Sequence, residues 1–222
     1  MREYILTQEK GKESGEKSEN KNYLAGEPKD IELKTVNNHI YFYSGVNKKS
    51  VLELNIKLKE VEKELLKKQS ELEFHKEYIY LHINSYGGCV FSCFSVIDTI
   101  KNLRVPVVSI IEGAAASAAT LISVVCDYRI IYKTSYMLIH QLSSAYWGKM
   151  EDMEEEMVNL RELMRKIKEI YKNHTQISDG DLDEILKHDL WWNADITLEK
   201  GLVDEIRVND KKYTFSRGLL DI

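Results

Sequence analysis

This 222-residue chain lacks an uninterrupted apolar run, an excess of positive charge and an even set of cysteines. A membrane-spanning helix needs about 20 consecutive apolar residues. The nearest stretch, Val105 to Cys126, is split by Pro106, Glu112 and Gly113 into a short strand and a short helix, so it reads as core. The opening residues, MREYILTQEKGKESG, have no apolar centre of the kind a secretory signal carries. Lys and Arg number 31 against 36 Asp and Glu, a net charge of −5. They interleave with Glu along predicted helices, whereas a nucleic-acid binder would show a basic face. Neither nucleic acid nor membrane is therefore an expected partner. The three cysteines, Cys89, Cys93 and Cys126, lie in apolar runs. No second pair or nearby His completes a zinc set, so they read as buried free thiols of a reducing compartment, with no metal expected. The chain also lacks GxxxxGK[ST], so it cannot hydrolyse ATP itself, and no cofactor is expected.

What is present is a soluble composition, 43% hydrophobic and 30% charged, long enough for one domain with a real core. Residues 9–30 offer almost nothing to bury, so residues 1–30 read as a mobile charged arm and 31–222 as a single domain. Order is expected near Ile40, where IYFYSG reads as a strand. From Val51 to about Glu73, Leu54, Leu58, Val61 and Leu65 recur at helical spacing. YIYLHI (78–83) alternates as a strand, and a helix is expected over roughly 90–103. VPVVSII (105–111) is a buried strand, Ala115–Val125 a small-residue helix, and two short strands near 129–132 and 136–139 lead to His140. Residues 151–173 carry the longest apolar stripe: Met153, Met157, Leu160, Met164, Ile167 and Tyr171. A short helix near 181–187 and a closing hairpin around Asn209–Asp210 complete the chain. Strand and helix alternate through the middle, which is the pattern of an α/β fold.

Serine is a weak nucleophile unless a histidine takes its proton and a carboxylate orients that histidine. Ser117, in EGAAASAAT, follows a buried strand and opens a helix among small residues that leave room for a polypeptide. The Ala118 N–H lies in the first helical turn, where donors lack intrahelical partners. Gly88, in INSYGG, offers a second backbone donor. Each signal has a plainer reading. Gly–Gly makes turns, small serines pack helices, a strand-end His such as His140 is commonly structural, and a loop Asp such as Asp189 commonly caps a turn.

The strings INSYGG, GAAASAA, MLIHQ and HDLWWNADITLEKGLVDEI, in that order, resemble the signature blocks of the Clp proteolytic-subunit (ClpP) family, INSPGG, GQAASMGA, MIHQP and RDxFxSAxEAxxYGLVD. The 29 positions from Gly88 to Ser117 and the 49 from His140 to Asp189 agree with the family; the 23 from Ser117 to His140 are about two short. The resemblance implies a ClpP/crotonase-like β/α spiral with a protruding handle helix over about 151–173. It implies a serine endopeptidase with Ser117 as nucleophile, His140 as base, Asp189 as orienting acid, and Gly88 and Ala118 N–H as oxyanion donors. Expected partners are further copies in a heptameric ring paired into a tetradecamer, an AAA+ Clp ATPase, and unfolded polypeptide substrates. The expected location is the cytoplasm or a plastid stroma. A catalytically weak ring subunit and a crotonase-type acyl-CoA enzyme are the alternatives.

Several positions depart from the family. Tyr86 replaces a proline and Ala118–Ala119 replace Met–Gly, with no loss of an N–H donor. Lys187 and His188 stand where an Asp–Arg pair often links the rings, and the helix after Gly45 is longer by roughly two turns.

Overall fold

The computed structural model describes residues 5–6, 33–71 and 77–208. The expected arm over 1–30, Ile5–Leu6 apart, and the hairpin at Asn209–Asp210 lie outside these residues. Strand β1 (Ile5–Leu6) pairs antiparallel with β5 (Gly88–Cys89). Strand β2 (Lys34–Val36) precedes the expected start at Ile40 and turns antiparallel onto β3 (His39–Phe42). Helix α1 (Lys48–Glu71) buries Val51, Leu54, Leu58, Val61 and Leu65, the stripe read from the sequence. Strand β4 (Ile79–Ser85) then enters the centre of the sheet, and α2 (Val90–Asn102) follows β5.

Strand β6 (Val107–Ala116) is longer than expected and takes up residues assigned to the next helix. Up to Ile111 it runs parallel between β4 and β7 (Tyr128–Tyr132). Beyond Gly113 (φ +82°), Ala114–Ala116 pair with β8 (Tyr136–Leu138) in place of β7, while Ala115 stays opposite Ser85 of β4. Only then does α3 (Ala118–Val124) begin, every residue of it buried. Helix α4 (Met150–His174) and α5 (Asp179–Ile185) lead to β9 (Trp191–Asn193), antiparallel to β8. Helix α6 (Ala194–Glu199) and β10 (Glu205–Arg207), parallel to β7, complete the described chain. Neither β9 nor α6 was anticipated.

The main sheet path runs β10-β7-β6-β4-β3-β2, with β8 and β9 branching from the far end of β6. One core lies on the helix side, where α1, α2, α3 and the C-terminal half of α4 bury their apolar faces. The other side carries a small cluster of Val108, Ile110 and Ile130 beside Tyr80 and Tyr132. There Glu112 binds His82 at 2.8 Å and Tyr43, while His82 meets His39 at 2.8 Å.

Candidate active site

Parallel strands in an open α/β sheet expose their C-terminal ends together, and crevices there are where such folds bind ligands. Here Gly88 follows β4, Ser117 follows β6 and His140 follows β8. Asp189 comes from the opposite direction, just ahead of β9. In the β8–β9 register Leu138 faces Trp191, and continuing it by two residues brings His140 opposite Asp189. The Gln141 N–H bonds the Leu186 carbonyl at 2.8 Å, closing the two segments together beyond the strands.

The side chains complete the line. His140 Nε2 is 2.8 Å from Ser117 Oγ, and His140 Nδ1 is 3.2 Å from Asp189 Oδ1. The imidazole is 5% exposed and the carboxylate 54%. Burial pulls the His140 pKa below its usual 6.5, and the Asp189 charge and hydrogen bond oppose this in part. The net effect favours a neutral imidazole at neutral pH, the form able to accept a proton.

Ser117 has φ +58° and ψ −124°, a conformation costly for any residue with a Cβ. Its N–H bonds the Leu138 carbonyl at 2.8 Å, so the turn is pinned to β8. A sharp strand-to-helix turn of this kind lifts a serine hydroxyl clear of the backbone. Gly87 (φ +92°) lies against it: a Cβ there would fall 2.7 Å from the Ala116 carbonyl oxygen and 2.9 Å from the Ala118 nitrogen. A Cβ on Gly88 would fall closer still, 2.3 Å from the Val46 carbonyl oxygen. Val46 N–H donates to the Gly87 carbonyl and Cys89 N–H donates to the Val46 carbonyl, each at 2.7 Å. Strand alternation then turns the Gly88 N–H to the other edge, the one that Ile5–Leu6 lies along.

All five residues named from the sequence thus belong to one locality, with Ser117, His140 and Asp189 in a bonded line. Tyr86 packs edge-on against Trp191, ring centres 6.1 Å apart, beside that line. Lys187 and His188 turn to Glu184, at 2.7 and 3.4 Å. Cys93 and Cys126 are buried free thiols, whereas Cys89 is only half-buried. Burial pushes the Cys126 thiol up to about 12. Among the described residues no three His, Cys, Asp or Glu side chains are grouped to hold a metal ion. No helix among them is long and apolar enough to cross a membrane.

Sequence reasoning missed Thr120 and Tyr171 as neighbours of this site. Thr120 Oγ1 bonds the Ser117 carbonyl at 2.6 Å and Tyr171 Oη at 2.5 Å. Neither carries a local sequence signal, because Tyr171 read only as one member of the stripe on α4.

A hydroxyl, an imidazole and a carboxylate in line at the strand ends of an α/β fold make a hydrolase-type site. The Clp protease family model matches residues 37–210, and the chain belongs to that family: it is a ClpP-type peptidase. The fold is similar to a solved structure of ClpP1, in a point-mutant form, from Listeria monocytogenes. That likeness has a TM-score of 0.66 at 21% identity and covers 78% of this chain and 93% of the other. It identifies the architecture as the ClpP/crotonase-like spiral.

Proposed function

We propose that this chain is a serine endopeptidase, the proteolytic subunit of a self-compartmentalised protease that cleaves unfolded polypeptides. The observation that carries this is the unbroken line Ser117 Oγ, His140 Nε2, His140 Nδ1, Asp189 Oδ1. His140 removes the hydroxyl proton as Ser117 Oγ adds to the scissile carbonyl, and Asp189 holds the imidazole in the tautomer this needs. The Gly88 and Ala118 N–H groups receive the oxyanion. His140 then gives its proton to the leaving amine, and water repeats the sequence to release the acyl group.

A polypeptide is the substrate that suits the Gly88 edge. An extended chain adds to such an edge through its backbone, as Ile5–Leu6 of this protein does. Two heptameric rings joined through α4 form the assembly, and a separate AAA+ unfoldase feeds it. The missing nucleotide loop and the family membership support that division of labour. The free thiols suit a reducing compartment, cytoplasm or plastid stroma.

A fluorophosphonate probe tests the chemistry directly. Peptide mapping is expected to find the adduct on Ser117, and Ser117→Ala to abolish both adduct and peptide cleavage with the fold intact. Wild-type cleavage by Ser117→Ala would overturn the assignment.

A further inference from the structure

We infer that Tyr171, on α4, is a positioning residue for the oxyanion donor and acts through Thr120. This rests on the peptidase reading above. The Ser117 carbonyl accepts the Thr120 backbone N–H at 3.0 Å and the Thr120 hydroxyl at 2.6 Å. Thr120 Oγ1 is 2.5 Å from Tyr171 Oη. A carbonyl only accepts, so the single hydroxyl proton of Thr120 is committed to Ser117. The phenol is therefore the donor to Thr120. Burial drives the Tyr171 pKa far above its usual value, so that proton stays in place. Both side chains are fully buried, Thr120 at 0% and Tyr171 at 1% exposure.

The end of this chain of donors matters more than its length. The Ser117 carbonyl and the Ala118 N–H are two ends of one planar peptide. Holding the oxygen with two donors fixes where the N–H points. Loading the oxygen also polarises the amide, because linked hydrogen bonds strengthen one another by roughly 10–30% each. The peptide needs such a hold, since Ser117 sits in a strained conformation from which an untethered plane would rotate. On its far side the Ala118 carbonyl accepts Cys93 Sγ at 3.2 Å. Tyr171 thus ties the long helix α4 to the group that meets the developing oxyanion.

The test separates this role from simple core packing. Tyr171→Phe keeps the Thr120 bond to Ser117 but unloads it. Thr120→Val removes the hydroxyl and leaves a buried phenol unsatisfied. The double variant replaces the pair with two apolar groups, a change that restores stability when both partners of a buried hydrogen bond are removed. For a short fluorogenic peptide, kcat and the rate of fluorophosphonate labelling are expected to fall about three- to tenfold in Tyr171→Phe. KM and the pH profile should not move, because His140 and Asp189 are untouched. Thr120→Val should lower Tm as well. In the double variant Tm should recover while kcat stays low, and Thr120→Ser should keep both. Wild-type kcat in folded Tyr171→Phe, or in the double variant, would overturn the inference alone. A wild-type protein that cleaves peptides but never labels at Ser117 would overturn the assignment of Ser117 as nucleophile, and this inference with it.

Discussion

At the scale of the residue, His140 is held between two opposing influences, and the balance between them is measurable. Burial disfavours its charged form, while the half-exposed Asp189 favours it and is the smaller effect. Under the proposed mechanism activity requires the neutral base, so kcat/KM should fall on the acid side with a midpoint below the ordinary 6.5. The same depression bears on stability. Between the folded and unfolded pKa values the unfolded chain binds a proton that the folded chain refuses, so this contribution is present above about 6.5 and is lost as pH falls through the folded value. Asp189→Ala removes the influence that raises the pKa. The variant should lose about 10²–10⁴ in kcat, as misoriented imidazoles do, and its acid limb should move to lower pH. A pH–rate profile of the variant checks this, and a limb displaced to higher pH would contradict the role given to Asp189.

At the scale of the element, what the sequence could and could not convey divides by whether the cause is local. Helix α4 was legible to within a residue at each end, because its stripe recurs over nearly six turns. Helix α1 was legible for the same reason, though it starts three residues earlier than its stripe, at Lys48. The end of β6 was not. A run of alanines fits a strand or a helix equally, and pairing with β8, distant in sequence, decides for strand. Strand β9 also exists only through its partner, although the helix after it had a local sign in Asn193, whose side chain caps α6 by accepting the Ile196 N–H at 3.0 Å. The line from Ser117 to Asp189 was nameable residue by residue, but the β8–β9 register that aligns it was not. Nor could a stripe reveal which of its members face the core. In α4 that burial is uneven: Ile167 and Tyr171 are buried, whereas Met153 and Met157 are 43% and 49% exposed. Ile167→Ala should therefore cost about 2–5 kcal/mol. Met157→Ala should change protomer stability by less than about 0.5 kcal/mol. Chemical denaturation of the two variants distinguishes the halves, and equal losses would mean the stripe is buried throughout.

At the scale of the whole molecule, the exposed half of α4 is the feature a single copy leaves unexplained. Met150, Met153, Met157 and Val158 present apolar surface to solvent there, and Trp147 just before the helix is 95% exposed. Monomers seldom carry contiguous apolar patches beyond a few hundred Å², and methionine adapts well to a surface buried only on association. Leu190 and Trp191, exposed next to Asp189, extend apolar surface to the edge of the site. Burial of that edge in an assembly would hold Asp189 against His140, where the isolated copy leaves the carboxylate half in water. Assembly and activity should therefore rise and fall together. Native mass and sedimentation are expected to report a ring or double ring, most simply fourteen copies. Met153→Asp with Met157→Asp should break it into smaller species without altering helical content, since neither side chain supports the protomer core. Peptidase rate per subunit should drop with the loss of large particles and recover with protein concentration, as mass action requires. A wild-type chain that is monomeric and fully active at every concentration would refute the link between α4 and the site.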